Sequence, residues 1–223
     1  MKSLGLISIG QATDGDFVPV IRDIVGKDVR LDVRGALDGL TDEEIAAMAP
    51  RPGEHPVVTE LNDGRSVKVS KPLLVPRING IMREMLLSGT EVGCLMCTGS
   101  FEGLSVPEGF VLLQGRQIID HAVLAICPPG VKLGVLVPLA EQEALSGGKY
   151  RDMGSEVVCG HGNPYGSMKE LAENARVFRG CFAVVMHCMG YGREHRQLVA
   201  EASGTLVLEA NAVMGRMAGE LLV

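Results

Sequence analysis

Short apolar runs closed by Gly or Pro alternate with segments of helical period along the chain, the pattern of a parallel sheet covered by helices. Strands are predicted over residues 4–9, 28–33, 92–96, 110–114, 132–137, 156–160, 182–187 and 205–209, with helices between most of them. In PRINGIMREMLLSG, Ile78, Ile81, Met82, Met85 and Leu86 share one helical face and Gly89 supplies the C-terminal cap. SMKELAENARVFRG reads likewise, with Ser167 as N-cap, Glu170 completing a capping box and Gly180 at the end. One segment departs from this rhythm. VVTELNDGRSVKV alternates on either side of Asn62-Asp63-Gly64, which predicts a β-hairpin inserted near residues 57–70.

The two halves of the chain echo one another. LGLISIG from residue 4 resembles LGVLVPL from residue 133, and CLMCTGS from residue 94 resembles VVMHCMGY from residue 184. Each half then closes with a strand and a helix, FVLLQGRQIIDHAVLA in the first and TLVLEANAVMGRMAGELL in the second. The shared point is a cysteine. Cys97 and Cys188 each end a buried-looking strand, and each is followed by residue-Gly-residue: Thr98-Gly99-Ser100 and Met189-Gly190-Tyr191.

Composition narrows the class. At 223 residues the chain is long enough for two domains of about 110 residues each. Hydrophobic residues at 46% and charged residues at 22% describe a soluble globular protein. A net charge of −6 with no long basic run argues against nucleic acid and anionic membranes as partners. No stretch approaches the roughly 18 apolar residues of a membrane helix, and the apolar run before Gly10 is too short for a signal segment, so a cytoplasmic location follows by default. Six cysteines, four of them inside apolar runs, fit reduced thiols in a reducing compartment.

Three readings compete for Cys94 and Cys97. A redox Cys-x-x-Cys needs its first thiol exposed at a helix start, whereas Cys94 lies inside the apolar run. A structural zinc site needs two further ligands at similar spacing, and the other cysteines stand singly. Strand alternation offers the third: Cys94 and Cys97 point to opposite sides, Cys94 into the core and Cys97 toward the carboxyl end of the sheet, where open α/β sheets bind ligands. The same holds for Cys188. Were the halves related by a pseudo-twofold axis, the two thiols would approach one substrate from opposite sides, roughly 7 Å apart, as stereochemical inversion at a carbon next to a carboxylate demands. Loop N–H groups and a helix start would stabilise the thiolate, and neither a metal nor an organic cofactor is required. The plain alternative is a pair of ordinary buried cysteines.

Taken in order, SIGQ, RGALDGLTDEEI, TELNDG, LMCTGSF, GRQIID, GVLVPLAEQ, GNPYGS, HCMGYGREHR and the closing ANAVMGRMAGELLV resemble the AroM family, itself similar to the aspartate/glutamate/hydantoin racemase superfamily. The resemblance runs end to end. It implies an α/β fold of two pseudo-symmetric Rossmann-like lobes with mainly parallel sheets, the final helix returning to the first. The lobes would then be residues 1–115 plus 210–223, with the hairpin, and residues 116–209. It also implies Cys97 and Cys188 as cofactor-independent acid and base, with Thr98, Gly99 and Ser100, together with Gly190 and Tyr191, around a substrate carboxylate. His187 stands where the family pattern leads one to expect Asp, which alters the charge beside Cys188.

Other residues join the candidate set. Asn163, Tyr165 and Gly166 of HGNPYGS stand between a strand and a helix whose start could bind an anion, though a plain turn and N-cap explains them nearly as well. Gln11, in the turn-rich loop IGQATDGD, could present its amide to substrate, and Arg116 could pair with a carboxylate. His195 belongs on a solvated helix face, and His55 and His161 in loops, without assigned roles. The leading expectation is a racemase or isomerase acting on a small carboxylate-bearing molecule, with no metal or cofactor and a homodimer as one possible assembly. A single-cysteine decarboxylase or isomerase, and a non-catalytic small-molecule sensor with a racemase-like cleft, remain alternatives.

Overall fold

The computed structural model describes residues 2–13 and 17–222, so residues 14–16 of the loop expected after the first strand lie outside the described residues. The chain forms two compact units. One comprises the residues up to Arg116 together with those from Met214 onward, and the other spans Gln117–Val213.

The first unit contains the strands β1 (Ser3–Ser8) and β2 (Arg30–Gly35) and the helices α1 (Phe17–Val25) and α2 (Asp42–Ala47). The hairpin β3 (Val57–Glu60) and β4 (Ser66–Val69) follows, then α3 (Lys71–Leu87), β5 (Val92–Leu95) and β6 (Val111–Gln114). Its main sheet is parallel with the order β2-β1-β5-β6, while β3 and β4 pair antiparallel in a sheet of their own. Leu4, Leu6 and Ile7 of β1 are wholly buried, which is why this strand reads as an unbroken apolar run rather than an alternation.

The second unit is built on β7 (Lys132–Val137), β8 (Glu156–His161), β9 (Ala183–Met186) and β10 (Leu206–Glu209), with the helices α4 (Gly115–Ile126), α5 (Glu143–Asp152), α6 (Met168–Ala175) and α7 (Arg193–Ser203). Its sheet is again parallel, ordered β8-β7-β9-β10. Numbered within its own half, each sheet therefore runs second, first, third, fourth. The duplicated motifs occupy equivalent strands: LGLISIG and LGVLVPL fall on β1 and β7, and the cysteines follow β5 and β9. All eight sheet strands and the hairpin occur where the apolar pattern places them.

The final helix, α8 (Ala210–Glu220), belongs to the first unit from Met214 onward. A methyl group added at Gly215 would meet Ile21 and Ile24 of α1 at 3.0 Å, so the absence of a side chain there lets the two helices approach. No helix among the described residues is long and apolar enough to cross a membrane.

Two local expectations need correction. Helix α3 begins at Lys71, five residues before the Pro76 that looks like its start. Pro76 lacks an N–H and forfeits only the bond to the Pro72 carbonyl, while burial of Leu74 and Val75 holds the first turn in place. At α6, the Ser167 hydroxyl accepts from the Glu170 N–H at 3.4 Å, but the reciprocal bond of a capping box is not formed.

Candidate functional site

Each half carries one cysteine loop at the carboxyl end of its third strand. In the first unit the Met96 N–H donates to the Ile7 carbonyl at 2.9 Å, the last ladder contact before the chain leaves the sheet at Cys97. In the second the His187 N–H donates to the Leu136 carbonyl at 2.8 Å, and Cys188 follows. Beyond these points the backbones turn in the same way. The Gly99 N–H donates to Cys97 Sγ at 3.3 Å, and the Gly190 N–H donates to Cys188 Sγ at 3.3 Å. An N–H two residues on, aimed at the sulphur, favours negative charge there.

Their surroundings differ. Cys97 is buried within the apolar cluster that includes Leu95, Val57, Leu61 and Val69, with Phe101 and Leu104 packed against it. Val57, Leu61 and Val69 belong to the hairpin and its ends, so the inserted segment covers this loop. Burial pushes the Cys97 thiol up to about 11, against the pull of the Gly99 N–H, the Lys71 charge and the Thr98 N–H. Burial thus favours the protonated thiol at Cys97, the form expected of one member of the pair. Cys94, within β5, is fully buried and pushed up to about 12 by burial alone, which makes it a core residue. Cys188, in contrast, is only half-buried.

Around Cys97, Thr98 is buried and hydrogen-bonded, Gly99 is partly covered and Ser100 is exposed. Gln11 is spent on the hairpin, its Oε1 accepting from the Asn62 N–H at 2.7 Å. Sequence reasoning passed over Asp38 of RGALDGL, whose carboxylate accepts from the Ala12 N–H at 2.8 Å and the Gly35 N–H at 2.7 Å. The Arg77 guanidinium binds the Ala36 and Asp38 carbonyls. Together these contacts hold the turn after β2 and tie Ala12 to it. Arg116 stands half-buried in the first turn of α4, already engaged within the protein.

Around Cys188 the structure brings several predicted residues together. A Cβ on Gly190 would lie 2.7 Å from the Tyr165 hydroxyl oxygen and 2.9 Å from Pro164, so only glycine lets the Asn163–Gly166 turn pack on the cysteine loop. That turn is closed by the Gly166 N–H on the Asn163 carbonyl, and Asn163 Oδ1 accepts from the Tyr165 N–H, both at 3.0 Å. Asn163 therefore shapes the turn with its side chain, while Tyr165 is partly exposed and Gly166 exposed. Tyr191 departs from expectation. It is wholly buried and its hydroxyl donates to the Gly162 carbonyl at 2.5 Å, so it packs the loop from within instead of facing a ligand.

His195 also acquires a structural task. Its Nδ1 accepts from the Gly192 N–H at 3.0 Å, leaving Nε2 to donate to the Pro164 carbonyl at 3.0 Å. It ties the start of α7 to the Asn163–Gly166 turn. A further residue missed by sequence reasoning is Asn211, fully buried at the start of α8, whose Nδ2 donates to the Met189 and Tyr191 carbonyls at 2.9 Å each. A signal was present: the duplication pairs GRQ with ANA, so the second residue of α4, Arg116, corresponds to Asn211.

A polar cluster lies behind His187, where the first unit has Met96. Lys149 Nζ sits 2.5 Å from Asp120 Oδ1 and 2.6 Å from His187 Nε2, and the Tyr150 hydroxyl donates to Asp120 Oδ1 at 2.8 Å. Burial opposes ionisation of Asp120, but hydrogen bonds from His187, Lys149 and Tyr150 and the charge of Lys149 outweigh it, holding the carboxyl well below its ordinary range. Among the described residues no group of three or more His, Cys, Asp or Glu side chains could hold a metal ion.

A family profile described as "AroM protein" matches residues 4–222. No curated protein matches the sequence. Among solved structures, a variant of arylmalonate decarboxylase in its liganded form is 13% identical with a TM-score of 0.63, covering 100% of this chain and 92% of that one. The maleate isomerase Iso from Pseudomonas putida S16 is 10% identical with a TM-score of 0.62, covering 99% of this chain and 92% of its own. The aspartate racemase of Picrophilus torridus is 14% identical with a TM-score of 0.58, covering 99% of this chain and 95% of its own. At such identities the likeness establishes the fold alone, one shared with a decarboxylase, an isomerase and a racemase.

Proposed function

Because the chain belongs to the AroM family and has the fold of racemases, an isomerase and a decarboxylase, we propose that it moves a proton at the carbon next to a carboxylate in a small organic acid, using Cys188 and Cys97 as base and acid. One observation carries this reading. Both cysteines leave equivalent strands into loops whose second N–H meets the sulphur at 3.3 Å, a repeated geometry that ordinary core cysteines have no need of.

The chemistry follows from the contrast between them. Cys188, half-buried and receiving the Gly190 N–H, takes the α-proton as thiolate: the C–H bond breaks, an S–H bond forms and the electron pair spreads onto the substrate carboxylate. Cys97, kept protonated by burial, gives its proton to the carbon. Thr98 and Ser100 with the loop N–H groups, and Tyr165 beside Gly190, are the proposed carboxylate contacts. The step uses the two thiols alone. The burial of Cys97 favours a second reading in which Cys188 works by itself, removing and returning the proton on one face or protonating a carbanion left by decarboxylation.

Incubating the protein with amino acids, hydroxy acids and malonates in deuterium oxide tests both readings. Two-thiol chemistry predicts α-deuterium incorporation with interconversion of enantiomers, abolished in Cys188→Ser and lost as interconversion in Cys97→Ser. Unimpaired interconversion in Cys97→Ser selects the single-thiol reading. Binding of an acid with no exchange and no loss of carbon dioxide sinks both in favour of a sensor.

A further inference from the structure

The peptide group between Met189 and Gly190 is planar, so its carbonyl and its N–H point in opposite directions. Both ends are occupied. The Gly190 N–H donates to Cys188 Sγ at 3.3 Å, and the Met189 carbonyl accepts from Asn211 Nδ2 at 2.9 Å. The same Nδ2 donates to the Tyr191 carbonyl at 2.9 Å, so one amide clamps the loop on both sides of the glycine. Asn211 is wholly buried, and because carbonyl oxygens only accept, the two contacts fix which end of its amide is nitrogen. Its Oδ1 is buried without a hydrogen-bond partner. A residue present only to fill space would be apolar here; an unsatisfied acceptor is tolerated where the paired donors are needed.

We propose that Asn211 is a positioning residue for Cys188, holding and polarising the Met189–Gly190 peptide so that its N–H stabilises the thiolate. A hydrogen bond to the carbonyl makes the N–H of the same peptide a better donor, and the two bonds reinforce one another in series. The equivalent position in the first half is Arg116, so the side-chain amide is peculiar to the second half. The proposal rests on the reading of Cys188 as the working thiol, but its test needs no substrate.

The rate of Cys188 alkylation by iodoacetamide is followed from pH 5 to 10 by peptide mass spectrometry. Asn211→Ala is expected to move the midpoint upward by about one pH unit, and Asn211→Ser, which retains one donor, by less. Lower thermal stability with an unmoved midpoint in both variants would reduce Asn211 to packing and overturn the proposal. Should neither variant fold, the unaltered protein decides by nuclear magnetic resonance. The Asn211 side-chain NH2 signals and the Gly190 amide must titrate with the Cys188 midpoint, and flat Asn211 signals overturn the proposal. A shifted midpoint in a protein that exchanges no α-proton with any acid would leave Asn211 in place and remove the enzymatic reading instead.

Discussion

Cys97 and Cys188 leave their strands at equivalent points and receive an N–H from the glycine two residues on at the same 3.3 Å, yet their thiols face different surroundings. Around Cys97 the hairpin adds Val57, Leu61 and Val69, and the preceding residue is Met96. Cys188 packs half-buried on the apolar cluster that includes Met186 and Tyr191, Tyr165 lies against Gly190 of its loop, and the preceding residue is His187, backed by Lys149 and Asp120. A duplicated backbone can thus carry one thiol sealed by apolar cover and one left half-exposed. The difference lies in what each half adds to the loop, since the loop geometry itself is shared.

The largest effect that can break this comparison is chemical. With its thiol near 11, Cys97 is thiolate in only about one part in 10⁴ at pH 7, and it is buried besides. Cys188 should therefore react with iodoacetamide at least about 100-fold faster. Equal labelling of the two peptides would erase the distinction between them.

Next in size is the polar support beneath Cys188. Lys149→Met strands the buried Asp120 carboxylate and is expected to cost about 3 kcal/mol at pH 7, read by urea unfolding. The folded-state pKa of Asp120 lies below its ordinary 3.8, so its contribution is complete above that value and is lost as pH falls further. The gap between the variant and the parent should accordingly close in acid. A gap that persists unchanged at pH 3 would show that packing, and not the ion pair, sets it.

The smallest effect sharpens the account of the hairpin. Val57→Ala removes two methyl groups from the cover over Cys97 and should cost about 1–2 kcal/mol while raising Cys97 alkylation several-fold. The Cys188 rate should stay as it was.

Much of this was legible in the chain. Strands buried on both faces, such as the one carrying Leu4, Leu6 and Ile7, announce themselves as continuous apolar runs, and the Asn-Asp-Gly turn announced the hairpin. The repeated Cys-x-Gly placed both loops. The sealing of Cys97 was not legible, because it depends on a hairpin about 30 residues upstream whose local pattern says nothing of what it covers. For Asn211 the duplication marked the position, as the counterpart of Arg116, but its task is defined by carbonyls 20 and 22 residues earlier. The Asp120, Lys149 and His187 cluster joins two helices and a strand end, each unremarkable alone. Tyr191 misled because a tyrosine beside a reactive loop reads as a ligand contact until its hydroxyl is seen to be occupied from within.

The seam at Gly215 bears on how the protein is made. Synthesis is vectorial, and the turns that complete the first unit, from Met214 onward, are translated only after the whole of the second unit. Until they emerge from the ribosome, Ile21 and Ile24 of α1 lack the partner helix that packs on them. The unit begun before the other is therefore completed after it, and a nascent chain arrested just short of Met214 would carry a greasy stripe for chaperones to hold.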